Sequence, residues 1–162
     1  MYGQYSVASG DPDRQGNSVG SNLTTGSTAG TEERAFQSFG GLSLGYALAP
    51  TFANIRTMHF GGTISPWQDL EGGHSYLNDV TLTMAFYKYR IDSTGPTSDP
   101  FIPFATETIS DEIGEEWNFN AKWKILSDFK SDFRVGYFKP GSAYGSRRAR
   151  EIYGRYKFTV DL

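Results

Sequence analysis

The chain has 162 residues, 38% of them hydrophobic, with a formal net charge of −3. Its mean hydropathy is negative, and no run approaches the roughly 18 apolar residues of a spanning helix, which excludes a helical membrane protein. No basic face large enough for phosphate backbones is present, which excludes a nucleic-acid partner, and the absence of Cys excludes disulfides and thiol-ligated metals.

In chain order, Tyr2–Ser9 alternates, with Tyr5 and Val7 opposite Gln4, Ser6 and Ala8. Residues 10–34 form a polar loop rich in Gly, Ser, Thr and Asn. Phe36–Leu48 is apolar but broken by Gly, and is either a short helix or an irregular strand. Phe52–Ile64 is expected to be a strand with a bulge at Gly61-Gly62. Leu77–Arg90 places Val80, Leu82, Met84 and Phe86 on one side and Asp79, Thr81, Thr83 and Tyr87 on the other. A loop with three prolines covers residues 91–111. Ile113–Ile125 puts Ile113, Trp117, Phe119, Ala121, Trp123 and Ile125 opposite Glu116, Asn118, Asn120, Lys122 and Lys124. After a tight connection at Ser127–Lys130, the stretch Ser131–Lys139 sets Phe133, Val135 and Tyr137 against Asp132, Arg134 and Gly136.

The closing stretch, from about Arg150 to Leu162, carries Ile152, Tyr156, Phe158, Val160 and Leu162 on one face. Tyr153, Arg155, Lys157, Thr159 and Asp161 lie on the other. A strand that is apolar on one side and charged on the other suits an outer-membrane barrel, with lipid outside and water inside. The ten Tyr, twelve Phe and three Trp supply material for interfacial girdles, with Trp117 and Trp123 as anchors. The fold class expected is all-β, an antiparallel transmembrane β-barrel. Loops at about 10–49, 91–111 and 140–149 are extracellular, and Ser127–Lys130 is a periplasmic turn. The connection Pro66–Tyr76 is long for a periplasmic turn.

Six strands fall short of the roughly eight of a closed bacterial barrel. Residues 1–162 are therefore expected to be the C-terminal segment of a larger barrel. The opening residues carry no signal peptide, which favours a chain beginning partway through a longer protein.

Three segments stand out: Tyr5-Ser-Val-Ala-Ser-Gly-Asp11, Ile113-Gly-Glu-Glu-Trp-Asn118 and Gly136-Tyr-Phe-Lys-Pro-Gly-Ser-Ala-Tyr144, with Phe52-Ala-Asn-Ile-Arg56 before a strand ending at Ser65-Pro66. Together they resemble the C-terminal part of the alginate-export type of outer-membrane porin. The resemblance implies a monomeric barrel passing a polysaccharide or small anionic solutes across the outer membrane. The chain is shorter than a full member and ends in Leu162 rather than an aromatic residue. Tyr156 and Phe158 keep the alternate-position pattern that resembles the signal read by the barrel-assembly machinery.

If the polar face is the inward one, Glu116, Lys122, Lys124, Arg134, Glu151, Arg155 and Lys157 project into the lumen. Basic side chains there favour anionic solutes, and the bland alternative is that these charges pair across strands. Tyr87 and Tyr89 share that face and are the candidate sugar-stacking residues. Arg147, Arg148 and Arg150 are candidates for holding lipopolysaccharide phosphate, or else an exposed charge run. The loop from Asp11 to Asn22 partly matches a calcium loop but lacks the acidic residue at its twelfth position, and turn formation explains the same letters.

Glu115 and Glu116 point to opposite faces and cannot act together on one substrate. His59 and His74 have no metal-ligand spacing and no evident nucleophile partner, so neither a catalytic site nor a cofactor is expected. The rival readings are a small closed barrel for adhesion or anchoring, and a soluble carbohydrate-binding β-sandwich whose apolar faces would meet in a core.

Overall fold

The computed structural model describes residues 1–13, 30–36, 44–69, 71, 76–97, 102 and 110–160. Six strands are present: β1 (Tyr2–Ala8), β2 (Ile55–Ile64), β3 (Val80–Ile91), β4 (Glu112–Lys124), β5 (Phe129–Pro140) and β6 (Glu151–Val160). Each pairs antiparallel with the next, and the single sheet runs in chain order from β1 to β6 without closing on itself. The segment 44–48, where helix and irregular strand were both open, forms bends, and residues 37–43 lie outside the described residues.

Alternation makes these strands, and cross-strand pairs fix their register. Phe86 lies opposite Trp117, with ring centroids 4.7 Å apart. On the other face the Thr63 and Thr83 hydroxyls meet at 2.9 Å. The β4–β5 connection is tight, with Ile125 N–H donating to Phe129 O at 2.9 Å and Phe129 N–H to Leu126 O at 3.3 Å.

The bulge is not where sequence placed it. Pairing of β2 with β3 is unbroken from Ile55↔Ile91 to Ile64↔Leu82, so Gly61-Gly62 is regular strand. Gly61 serves the Tyr2 ring, which occupies the space a Cβ would need. The irregularity falls instead in β4, where Tyr89 pairs with Gly114 but Arg90 pairs with Glu112. The extra residue is Ile113, and Gly114 takes φ +145°, a conformation that favours glycine. Ile113 therefore leaves the apolar row of Trp117 and Phe119 and is buried among Ile55, Ile102 and Tyr144.

The two faces invert the arrangement of a soluble sheet. Met58, Phe60, Met84, Trp117, Phe119, Phe133, Ile152, Tyr156, Phe158 and Val160 share one face by register and are exposed. Thr57, Glu116, Asn118 and Asn120 lie on the opposite face and are buried. In β4 alone, Trp117 is 50% exposed while its neighbour Glu116 is 0% exposed. No described element covers the apolar face. An apolar surface this continuous marks contact with lipid or a partner, and the sandwich reading, which needs that face dry, does not fit.

The buried core lies on the polar face, at the end carrying the long connections. Ala8, Leu44, Phe52, Ile55, Tyr89, Ile91, Phe138 and Tyr144 pack there beneath a segment of residues 44–54 folded onto the sheet.

Candidate functional site

The polar face has two halves. At the long-loop end, Glu116 holds the folded-in segment. Its Oε1 accepts the N–H groups of Tyr46 (2.5 Å) and Ala47 (2.9 Å), and its Oε2 accepts that of Leu48 (2.9 Å). Three successive amides converging on one carboxylate form an anion-binding nest. Gly45 precedes them with φ +82°, and a Cβ there would fall 2.5 Å from both Glu116 Oε1 and the Tyr89 hydroxyl. Tyr89 donates to Leu44 O at 3.0 Å, also lies 3.5 Å from Glu116, and is fully buried. It therefore fixes the segment and presents no free ring.

A second junction ties three connections together. The Asn54 side chain donates to Ser93 O (3.2 Å) and Pro96 O (2.9 Å) and accepts Ser93 N–H at 3.0 Å. Asn54 is buried at φ +49°, a region Asn tolerates better than most residues. Asp92 accepts Gly10 N–H at 3.1 Å and pairs with Arg56 at 2.7 Å.

Toward the short-turn end, the same face becomes a charged wall. Lys122 and Lys124 on β4, Lys130 and Arg134 on β5, and Arg155 and Lys157 on β6 share it by register. Among the described residues, the acids on this face of the three strands are Glu116, Asp132 and Glu151. Glu116 is satisfied by amides, and Glu151 is held by Arg148 at 2.6 Å. Asp132 is left against the wall, bound bidentately by Arg134 at 2.9 and 2.7 Å and by Asn120 at 2.8 Å. Lys122, Arg155 and Lys157 form no ion pair among the described residues. Arg155 stands directly opposite Arg134, and Lys157 opposite Asp132. Cross-strand pairing thus accounts for only part of the wall, and the described residues leave a net positive charge on it.

An aromatic row lies beside it. Tyr2 meets His59 at 5.6 Å, His59 stacks on Tyr87 at 5.0 Å, and Tyr87 stacks on Tyr89 at 5.9 Å. Tyr46 bridges row and wall, with Arg134 over its ring at 5.5 Å and Tyr153 at 6.3 Å. Burial pushes the Tyr46 hydroxyl above its ordinary range.

Every residue expected to project into the lumen shares this one face: Tyr87, Tyr89, Glu116, Lys122, Lys124, Arg134, Glu151, Arg155 and Lys157. Their environments differ, since Tyr89 and Glu116 are buried while the lysines of the wall and Arg155 are exposed. Sequence reasoning missed Tyr2, His59 and Tyr46 as members of the row. The parity of His59 with Thr57 and Gly61 could have placed it there. The approach of Tyr46 depends on a loop and has no sequence signal.

Of the arginines expected at lipid phosphate, Arg147 and Arg150 are exposed. Arg148 turns away, pairing with Glu151 and lying over the Phe138 and Tyr144 rings at 5.2 and 5.3 Å, so its guanidinium secures the short turn Ser142–Tyr144 instead. Glu115 faces away from Glu116, within 3.5 Å of Lys88. Most of the calcium-loop segment, and His74, lie outside the described residues.

No curated protein matches the chain. The profile described as "Alginate export", a transport family of outer-membrane porins rather than of enzymes, matches residues 2–156. That match covers nearly the whole length, and with the apolar-out, charged-in sheet it shows that the chain belongs to the alginate export family.

Proposed function

We propose that the chain forms part of the wall of a water-filled channel in the bacterial outer membrane, through which small anionic solutes or an acidic polysaccharide pass without an energy source. The observation that carries this reading is the cationic wall of Lys122, Arg155 and Lys157, which form no ion pair among the described residues, set back-to-back with an exposed apolar surface. Cations along a water-filled path lower the electrostatic barrier for anions. The Tyr2–His59–Tyr87 row offers rings for a sugar to slide along, and the Glu116-held segment narrows the path at the extracellular end. Arg147 and Arg150 face the lipopolysaccharide layer. The alternating Ile152, Tyr156, Phe158 and Val160 of β6 present the edge that the barrel-assembly machinery would engage.

Planar-bilayer recording tests the proposal. Under a salt gradient the reversal potential should report anion preference, and Arg134→Glu with Arg155→Glu should abolish or invert it. A protein that inserts without conducting would favour the small anchoring barrel. One that stays monodisperse in plain buffer would overturn membrane insertion altogether.

A further inference from the structure

Outside the channel path, on the apolar face near the long-loop end, lies a cleft of about 340 Å³ lined by Tyr5, Arg56, Met58, Lys88 and Arg90. Its floor follows from register. Arg56 stands directly opposite Arg90, and Met58 lies between Tyr5 and Lys88 in the next row. Like charges directly opposite on one face are destabilising unless something anionic lies between them.

The acids present answer this unevenly. Arg56 is tightly bound to Asp92 at 2.7 Å. Arg90 reaches Asp111 only at 4.0 Å, and Lys88 reaches Glu112 and Glu115 at 3.8 and 3.5 Å. Those three acids belong to β4 and the connection before it, on the far side of β3 from the cleft. Among the described residues, no acidic side chain lines the cleft itself. The next row away from the loops is wholly apolar, with Phe60, Phe86 and Trp117 in register, and Phe60 is 53% exposed. A ligand fitting both rows needs a compact anion at one end and a hydrocarbon tail at the other. Its anion would meet two guanidinium groups and an ammonium, a set suited to phosphate.

We propose that this cleft binds the phosphate of an outer-leaflet lipid, with an acyl chain running over Met58 and Phe60. The proposal rests on the membrane-embedded reading of the apolar face. Arg56, Lys88 and Arg90 then do what sequence assigned to the 147–150 cluster, at a level that fixes the sheet against the headgroups.

The test is native mass spectrometry of the chain purified in a non-ionic detergent and offered diphosphoryl lipid A or phosphatidylcholine. Wild type should retain the diphosphoryl lipid preferentially, and Lys88→Gln with Arg90→Gln should lower retention about tenfold. Met58→Glu, which blocks the tail while leaving all three cations, should do the same and provides the reading if the double variant misfolds. Equal retention of phosphatidylcholine, or undiminished retention by the folded variants, would overturn the proposal. So would displacement by millimolar inorganic phosphate, which would make this a site for free anion. Co-flotation of wild type with vesicles, measured in parallel, separates failure of this site from failure of membrane insertion.

Discussion

The two halves of the polar face carry the same kinds of residue to opposite ends. At the long-loop end, Glu116 and Tyr89 are buried and hydrogen-bonded to the backbone of residues 44–48. A few rungs along, Lys122, Arg155 and Lys157 stand exposed and form no ion pair among the described residues. A buried carboxylate is stable only when its acceptor sites are filled, and three amides fill those of Glu116. The lysines of the wall are stable because water reaches them. One half of the face is thus built as protein interior and the other as a wetted surface. Substitutions should tell the halves apart, by loss of stability in the first and by change of ion preference in the second.

The largest effect is expected at Glu116. Replacement by Ala would orphan the amides of Tyr46, Ala47 and Leu48 in a buried site, and should cost about 3–5 kcal/mol. Urea unfolding from detergent micelles measures this directly. Single-channel recording should also show larger or noisier conductance as the segment comes loose. If unfolding shifted by less than about 1 kcal/mol, the long-loop half would not be interior at all. Asn54→Ala comes next. It removes three hydrogen bonds and places Ala at φ +49°, for an expected loss of about 2–3 kcal/mol.

Gly45→Ala sharpens the comparison without removing any polar group. It should cost about 2 kcal/mol, because the new methyl enters a positive-φ position and crowds both Glu116 and Tyr89. Proteolysis of the 44–54 segment in folded protein should accelerate in step. A stable but unprotected segment would show that the nest, rather than the core beneath it, holds the loop.

The six strands were legible because each repeats with period two, and their ends fall within a few residues of expectation. In Phe52–Ile64 the run Arg56, Met58, His59 and Phe60 blurs the pattern and assigns no faces. Where the alternation does assign faces, the strand residues keep them, with Ile113 as the exception. There the pattern of apolar letters ran straight through a bulge that only the positive φ of Gly114 reveals. The glycine pair at 61–62 carried the stronger local signal for a bulge, yet Gly61 answers to the Tyr2 ring across the strand. Long-range contacts overrode local composition at both places. For the same reason Glu116 could be assigned to the polar face but not to its amide nest. The donors come from about 70 residues earlier, through a loop whose path no periodicity encodes.

The smallest stability effect, and the finest test of the contrast, belongs to the open half. Arg155→Gln and Lys157→Gln remove exposed charges that hold nothing in place, so the urea midpoint should not move measurably. The removed field should nevertheless appear in transport. Arg155 faces Arg134, whose own guanidinium is bound to Asp132, so Arg155 contributes an unshared charge to the wall. Losing it should cut anion preference more than losing Lys157, whose position opposite Asp132 partly cancels its field. Reversal potentials of the two variants at low ionic strength, where screening is weakest, should fall in that order. The reverse order would mean that Asp132, rather than Arg134, sets the local potential of the path.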